Sequence, residues 1–202
     1  MTEGIVFVVD DDDSVRRALE RLIRSVGLPV ETFASASELL RRNPPAGPAC
    51  VVSDVRMPGL SGLDLQSELA KAGFSMPIIF MTGHGTVPMT ARAMKAGAVD
   101  FLQKPVDEQQ LLDAIHQALE RSGRERRQMS EHEEIQARVE TLTARERQVF
   151  ELVVTGMLNK QIAAELDASE KTIKVHRGRV MQKMQADSLA DLVRMAERLG
   201  RD

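Results

Sequence analysis

The sequence predicts an α/β domain followed by a small all-α domain. Over residues 1–121, short apolar runs alternate with segments in which apolar residues recur at helical spacing. After residue 141, short segments of helical periodicity follow one another. The charge balance changes as well: residues 1–121 contain 12 Lys or Arg and 16 Asp or Glu, whereas residues 142–202 contain 11 and 9. The two parts are therefore expected to have different partners.

The first part is predicted to contain five strands that alternate with five helices. The predicted strands are 5–9, 30–33, 50–54, 76–82 and 99–102, and the predicted helices are 15–26, 37–42, 62–71, 87–96 and 107–120. Gly27 ends the first helix, and Pro44 stops the second. This alternation predicts a parallel sheet with helices on both faces, and the natural strand order is 2-1-3-4-5, as in flavodoxin-like (βα)5 folds.

Composition narrows the classes of function. The chain has 202 residues, of which 43% are hydrophobic, which is enough for two domains with their own cores. It has six Phe and no Trp or Tyr, so stacking on single-stranded nucleic acid is not expected to be its main activity. Cys50 lies in a predicted buried strand and is expected to be a core residue. Because no apolar run is long enough to span a membrane, we expect a cytoplasmic protein without membrane contact.

Polar residues stand where four of the predicted strands end. Asp10 and Asp11 follow the first strand, Asp54 ends the third, Thr82 ends the fourth, and Lys104 comes soon after the fifth. The carboxyl ends of parallel strands share one edge, so these residues could converge on one crevice. Clustered carboxylates would repel one another unless a cation such as Mg²⁺ joined them, and a carboxylate beside Mg²⁺ can attack phosphorus. A lysine and a hydroxyl would then neutralise the phosphoryl oxygens.

Each of these residues alone has a simpler explanation. An isolated Asp at the end of a strand usually caps a helix or lies in solvent, and an isolated Lys-Pro pair indicates nothing. Asp12 and Asp13 are expected mainly to cap the first helix, where the helix dipole favours negative charge. The combined set is much more specific than any of its members.

Together these segments resemble the receiver domain of two-component response regulators. The segments are Val9-Asp10-Asp11, Asp54 with Met57-Pro58-Gly59 and Gly62, Thr82-Gly83, and Lys104-Pro105. The resemblance implies that Asp54 accepts a phosphoryl group from a histidine kinase. It also implies a Mg²⁺ site formed by Asp54, Asp11, Asp10 acting mostly through water, and the backbone carbonyl of Arg56.

The same resemblance assigns the remaining residues of the crevice. Thr82 and Lys104 should contact the phosphoryl oxygens, and the Lys104-Pro105 peptide bond is expected to be cis. Phe101 matches the switch aromatic of the family, although a plain core residue is an equally good interpretation for a strand position. His84 is expected to be an exposed loop residue.

A connecting segment, residues 122–140, is charged and poor in apolar residues. Gly123 could break the helix that begins at residue 107, and good helix formers follow it. Met129, Ile135 and Val139 are too sparse for a coiled-coil seam. We expect a solvated, mostly helical linker, with a flexible coil as the alternative.

The second part is predicted to fold into four short helices that include a helix-turn-helix. Thr143 opens the first helix with a capping box, and Gly156 follows its end. Asn159 is the expected cap of the second helix, Ser169 caps the third after a tight turn, and Ser188 caps the fourth.

The third of these helices, residues 170–185, has two different faces. One face contains Ile173, His176, Val180 and Met184, so we expect it to point inward and His176 to be a packed, hydrogen-bonded residue. The opposite face is basic and nearly free of acids, and contains Lys171, Lys174, Val175, Gly178, Arg179 and Gln182. A basic face can be merely solvated, but a helix after a tight turn favours binding in a DNA major groove. Arg177 is expected to lie along the core edge and reach a phosphate.

The second part is similar to LuxR-type helix-turn-helix domains. The segments that carry the similarity are 142–146, 159–163 and 172–176. The similarity implies that Lys174 and Val175 face bases, and that phosphates are held by Asn159, Lys160, Thr172 and Arg179. Gly178 departs from the larger polar residue that is common at its position. The fourth helix is similar to a dimerisation helix, whose contact residues would be Leu189, Leu192, Val193 and Ala196.

A receiver joined to this module is the architecture of the NarL/FixJ family. The expected organisation is a receiver in residues 1–121, a linker in 122–140 and a DNA-binding domain in 141–202. The expected function is that of a phosphorylation-switched transcription regulator with Mg²⁺ as cofactor. Its expected partners are a histidine kinase, double-stranded DNA, RNA polymerase and a second copy of the chain.

Two other functions share some of these features. A phosphatase with an aspartyl-phosphate intermediate would need an acid two residues after the nucleophile, where Arg56 stands. We therefore expect no enzyme beyond slow self-dephosphorylation. A DNA-binding protein independent of phosphorylation would not need the complete acidic crevice.

Overall fold

The structure is a computed structural model that describes residues 4–74 and 76–200. The chain divides after Arg127 into two compact units, which are described separately. None of the helices in these described ranges is long and apolar enough to cross a membrane.

The first unit contains a five-stranded parallel sheet with helices on both faces, as predicted. Its strands are β1 (Ile5–Val9), β2 (Val30–Phe33), β3 (Ala49–Asp54), β4 (Ile78–Thr82) and β5 (Asp100–Gln103). Its helices are α1 (Asp13–Ser25), α2 (Ala36–Leu40), α3 (Gly62–Lys71), α4 (Val87–Lys95) and the first part of α5 (Glu108–Glu140). The strand order is β2-β1-β3-β4-β5, which confirms the predicted order.

Side chains of the sheet alternate between two cores because successive strand residues point to opposite faces. On one face, Val6, Val8, Cys50 and Val52 pack against helices α1 and α5. On the other face, Phe7, Val9, Val51 and Phe80 pack against helices α2, α3 and α4. Cys50 is fully buried, and burial raises the pKa of its thiol, in agreement with its predicted role as a core residue.

Helix α5 runs without interruption past Gly123 to Glu140, so the linker is helical as predicted, and the possible break at that glycine does not occur. Ser122 and Gly123 are buried rather than solvated. The Ser122 hydroxyl accepts a hydrogen bond of 3.1 Å from the backbone N–H of Ala49, at the start of β3. Gly123 faces Pro48, whose Cγ would lie 3.6 Å from an added Cβ. Packing against the first unit therefore overrides the low helix propensity of glycine.

The second unit is a four-helix domain with the predicted helix-turn-helix. It contains α6 (Ala144–Val154), α7 (Asn159–Glu165), α8 (Glu170–Met184) and α9 (Leu189–Leu199). Ile135 and Val139, from the second part of α5, are buried in its core. Both residues belong to the segment that was predicted to be solvated. They are buried instead because they lie on one face of α5, and that face packs in the core of the second unit.

The predicted caps in this unit are confirmed with one exception. Thr143 and Ser169 accept hydrogen bonds from the backbone N–H groups of Glu146 and Thr172, and Gly156 has a left-handed φ of 88°. Asn159 is not the cap of α7. That position is taken by Leu158, whose backbone N–H donates to Gln161 Oε1 at 2.8 Å, while the Asn159 side chain binds Arg177 instead.

Leu158→Ser should stabilise the second unit. The leucine has no side-chain acceptor for the first turn of α7 and its side chain is 68% exposed, so little apolar burial is lost by replacing it. The N–H of Gln161 donates to the carbonyl of Leu158 at 2.9 Å, and a serine hydroxyl would be a second acceptor for this N–H. Such an N-cap is worth about 1 kcal/mol in the free energy of unfolding. Urea unfolding of the full chain measures this gain. Thr143→Ala, which removes an existing cap, is the control and should lower the stability by a similar amount.

Candidate functional site

The carboxyl edge of the sheet holds three buried polar residues. Asp10, Asp54 and Thr82 are 1%, 6% and 1% exposed, respectively. Asp54 is the last residue of β3 and pairs with Met81 of β4, so Thr82 follows directly beside it. Carboxylates this deeply buried are unfavourable unless they are paired or hydrogen-bonded.

Lys104 pairs with both carboxylates. Its Nζ lies 2.7 Å from Asp10 Oδ2 and 2.7 Å from Asp54 Oδ1. Partial burial lowers the pKa of Lys104, but the hydrogen bonds to Asp10 and Asp54 outweigh that effect, so the pKa is raised and the ammonium stays charged. The Lys104-Pro105 peptide bond is cis, as the family resemblance implied.

The second oxygen of each carboxylate is held by a backbone donor. Asp54 Oδ2 accepts from the N–H of Arg56 at 2.7 Å, and Asp10 Oδ1 accepts from the N–H of Asp12 at 2.9 Å. Thr82 Oγ1 accepts from the N–H of His84 at 3.2 Å, which leaves its own hydroxyl proton available for donation. The crevice therefore presents a fixed carboxylate, an ammonium and a hydroxyl donor.

Asp11 is not brought into this cluster. Its side chain is exposed, whereas Asp10 and Asp54 share the ammonium of Lys104. Within residues 4–74 and 76–200, no three acidic, histidine or cysteine side chains are close enough to hold a metal ion together. Of the three carboxylates that were expected to converge, the structure brings Asp10 and Asp54 together around Lys104. Carboxylate and carbonyl oxygens remain the donor type that Mg²⁺ prefers.

Phe101 has properties of both a core residue and an exposed one. Its side chain is half-buried, and its ring centroid lies 6.1 Å from that of Phe80. It also lines a cavity of about 310 Å³, together with Thr82, Gly85, Thr86, Val87, Thr90 and Gln103. This cavity leaves open space beside the ring and next to Thr82.

The predicted cap of α1 is confirmed, and sequence reasoning missed one residue beside it. Asp12 Oδ1 accepts from the N–H of Ser14 at 2.8 Å, and the Ser14 hydroxyl and backbone lower the pKa of Asp12. Arg16 donates to the carbonyl of Asp10 at 2.6 Å and to Asp13 Oδ1 at 3.1 Å. The Arg16 side chain is only 15% exposed. Its two hydrogen bonds hold the turn that contains Asp10 and Asp13. The spacing of Arg16 from Asp13 on α1 was the available signal.

The outer face of α8 in the second unit is exposed and basic. The exposed residues from the predicted DNA-binding set are Lys160, Lys171, Thr172, Lys174, Val175, Gly178 and Arg179. Glu170 is the acidic residue of this helix, and it lies at the first position. Such a face suits a polyanion, because lysine and arginine can neutralise phosphates along it.

Two inner-edge residues of α8 differ from expectation. Arg177 is half-buried, and its guanidinium donates to Asn159 Oδ1 at 3.1 Å, so both side chains are engaged with each other. His176 is half-buried, but its Nδ1 is buried without a hydrogen-bond partner in the described part of the chain. The prediction of a hydrogen-bonded His176 is therefore wrong for Nδ1.

A buried ion pair joins α6 to α8. Glu146, 2% exposed, accepts at Oε2 from Lys183 Nζ at 2.7 Å and from the N–H of Thr143 at 2.9 Å. The lysine, followed by the Thr143 backbone, lowers the pKa of Glu146 to about 2. The capping role of Glu146 was predicted from its spacing to Thr143. Its lysine partner was not, because it lies on another helix.

The predicted dimerisation residues of α9 differ in accessibility. Leu192 is fully buried in the core of the second unit, so it is not available as a contact residue. Leu189 is 37% exposed, and Val193 and Ala196 are partly exposed. The helical pattern marked all four as apolar, but only packing distinguishes the core side of α9 from its accessible side.

Family models match two parts of the chain. The model described as "Response regulator receiver domain" matches residues 6–116. The model described as "Bacterial regulatory proteins, luxR family" matches residues 140–196. The first match covers the parallel sheet and its crevice, and the second covers the helices α6 to α8 and most of α9.

Several relatives are similar over nearly the whole chain. Nodulation protein W of Bradyrhizobium diazoefficiens is 55% identical over 199 residues, which are 98% of this chain and 88% of that protein. Transcriptional regulatory protein FixJ of Azorhizobium caulinodans is 48% identical over 95% of this chain and 90% of its own length. The solved structure of the response regulator StyR has a TM-score of 0.87 at 48% identity, covering 97% of this chain and 99% of that chain. The crystal structure of full-length FixJ from B. japonicum has a TM-score of 0.60 at 44% identity. The match covers 99% of this chain and 98% of that chain.

The Glu146–Lys183 pair should make the stability of the second unit depend on pH in acid. The folded pKa of Glu146 is about 2, below its usual value of 4.5, so its stabilisation is complete above the usual value and is lost as pH falls towards the folded one. The stability advantage of wild type over Glu146→Gln should therefore shrink between pH 4.5 and pH 2. Urea unfolding across this range measures it.

The matched control is Glu151→Gln, an exposed glutamate on the same helix α6. The difference in the free energy of unfolding between wild type and Glu151→Gln should stay nearly constant over the same pH range. An advantage over Glu146→Gln that does not change with pH would contradict the assignment.

Proposed function

Since this chain belongs to the response regulators that join a receiver domain to a LuxR-type DNA-binding domain, we propose that phosphorylation of Asp54 switches its binding to DNA. The donor is a histidine kinase, and the site of action is the bacterial cytoplasm. In the proposed organisation, residues 1–121 receive the phosphoryl group, residues 122–140 connect, and residues 141–202 bind DNA. The observation that carries the proposal is the Lys104 ammonium bonded to both Asp54 and Asp10 at the buried sheet edge.

Asp54 is the proposed nucleophile. One of its oxygens attacks phosphorus, the bond from phosphorus to the kinase histidine breaks, and that nitrogen keeps the electron pair. The N–H of Arg56 and the ammonium of Lys104 hold the carboxylate in position before the attack. Lys104 then neutralises a phosphoryl oxygen, and the Thr82 hydroxyl donates to another. The product is an acyl phosphate, which stores the signal until water hydrolyses it slowly.

Mg²⁺ is the proposed cofactor of this transfer. Asp10, Asp11, Asp54 and the backbone carbonyl of Arg56 are the oxygen donors that would hold it. When bound, the ion supplies positive charge beside the phosphoryl oxygens. Asp11 is exposed and next to Asp10, so a small adjustment of the turn would add its carboxylate to the set.

The proposed switch couples the crevice to a surface for a second copy of the chain. Donation by the Thr82 hydroxyl to the phosphoryl group would draw the loop after β4 inward. The cavity beside Phe101 gives that ring room to repack. Val87, at the start of α4, is 84% exposed and offers apolar area next to this cavity. We therefore propose that α4 and β5 form the phosphorylation-dependent contact between two copies.

In the second unit, α8 is the proposed recognition helix. Lys174 and Val175 would contact base edges, Lys171, Thr172 and Arg179 would contact phosphates, and Lys160 would contribute from the start of α7. Asn159 and Arg177 bind each other and would approach a phosphate as a pair. Leu189, Val193 and Ala196 of α9 remain the proposed contact residues between two DNA-bound copies. RNA polymerase is the proposed further partner.

Asp54→Asn should abolish phosphorylation. Wild type incubated with a radiolabelled acyl-phosphate donor and Mg²⁺ should become labelled, because the carboxylate is the attacking group, and the asparagine variant should not. Asp187→Asn, an exposed aspartate in the second unit, is the matched control and should be labelled like wild type. Equal labelling of wild type and Asp54→Asn would contradict the proposed nucleophile. Continuous turnover of small phosphate esters would instead indicate a phosphatase.

Phosphorylation should also raise self-association and DNA affinity together. Sedimentation with and without the donor should show a shift from one copy to two. DNA affinity should rise by about tenfold, within the usual range of coupling between two sites. Asp54→Asn should show neither change. An equal DNA affinity of the phosphorylated and unphosphorylated wild type would favour a DNA-binding protein whose receiver serves only as a contact domain.

A further inference from the structure

Gly178 lies in the middle of α8 and has no structural reason to be glycine. It is exposed, and it is not among the glycines with positive φ, which are Gly27, Gly59, Gly73, Gly97 and Gly156. An ideal Cβ built on Gly178 would meet no heavy atom of the described residues within 4 Å. Any small side chain would therefore fit the folded chain without strain.

The other two helical glycines of the described chain lie in packed surroundings, unlike Gly178. A Cβ on Gly62 would lie 2.3 Å from the backbone oxygen of Asp54, so glycine is required there. Gly123 is buried, and an added Cβ would meet Pro48, just before β3, at an ordinary contact distance of 3.6 Å. Glycine inside a helix lowers the folding equilibrium several-fold relative to alanine, because its unfolded backbone is freer. Gly178 carries this cost without an intramolecular benefit.

The surroundings of Gly178 indicate an intermolecular benefit. Lys174 lies one turn before it and Gln182 one turn after it on the same face. Lys171, Val175 and Arg179 are exposed beside it. The helix therefore presents a basic surface with a gap at its centre, where the backbone itself is the outermost group. A polyanion whose groove is wide enough to admit an α-helix, as the major groove of DNA is, is the partner that fits such a surface.

We propose that Gly178 is the point of closest approach between α8 and DNA. This inference rests on the proposed function of α8 as the recognition helix. Without a side chain at position 178, the helix axis can move closer to the base edges, and Lys174 and Val175 gain reach on either side. Gly178 contributes to affinity and sequence preference by the space it leaves, and it makes no hydrogen bond to a base through a side chain.

Gly178→Ala tests the inference because stability and DNA affinity should change in opposite directions. Thermal unfolding of the full chain should show a higher midpoint, since alanine favours the helix and the added methyl group meets open space. Affinity should fall by about tenfold, the scale of one lost base contact. The probes are DNA duplexes enriched by phosphorylated wild type from a random-sequence pool, with binding followed by fluorescence anisotropy. Gly178→Leu should lose more affinity than Gly178→Ala.

Two further variants separate failure of this inference from failure of the proposed function. Ser130→Ala adds helix propensity on an exposed position of α5 and should leave DNA affinity unchanged. Lys174→Ala should weaken DNA binding whether or not Gly178 is close to DNA. If Lys174→Ala weakens binding while Gly178→Ala binds as tightly as wild type or more tightly, the closest-approach role of Gly178 is overturned. If neither variant changes affinity, the DNA-binding role of α8 is overturned as well.

Discussion

The ammonium of Lys104, bonded to Asp10 and Asp54, is the interaction on which the first unit's chemistry depends. Two carboxylates in a nearly dry crevice would be strongly unfavourable without a cation between them. The pair of bonds, each 2.7 Å long, also joins the ends of β1 and β3 to the loop after β5. Because parallel strands bring these ends to one edge, a single side chain can hold three segments that are far apart in sequence.

A similar buried contact organises the second unit. Glu146 is held by Lys183 and by the backbone of Thr143, so one carboxylate caps α6 and ties it to α8. On the other side of α8, Arg177 binds Asn159 at the start of α7. The helix is therefore fixed to both neighbours by polar contacts on its inner edges. The side chains of Lys171, Lys174 and Arg179 on its outer face are exposed, so this face presents an accessible basic surface.

Helix α5 links the chemistry of the sheet to the chain that follows. Ser122 accepts the N–H of Ala49, where β3 begins, and β3 ends at Asp54. The Arg126 guanidinium adds a hydrogen bond of 2.8 Å to the carbonyl of Ala46, just before that strand. The charged segment that follows residue 121 thus begins as part of the first unit's packing. The first residue of β3 therefore contacts α5, and its last residue is Asp54.

The sequence by itself determined the features that depend on local pattern. Short apolar runs predicted the five strands, and apolar residues at helical spacing predicted the helices. The ends of the predicted strands located Asp10, Asp54, Thr82 and Lys104, and the capping residues Thr143 and Ser169 located two helix starts. These features depend on a few neighbouring residues, so a pattern in the chain is sufficient evidence for them.

Tertiary structure alone decided the partners of charged and apolar groups. It paired Lys104 with two of the three expected acids, Lys183 with Glu146, and Arg16 with the turn at Asp10. It also buried Leu192, carried α5 through Gly123, and left the space above Gly178 open. Such outcomes depend on which surfaces meet across long sequence separations. The free energy of a contact at that distance is set by burial and geometry, which no local pattern contains.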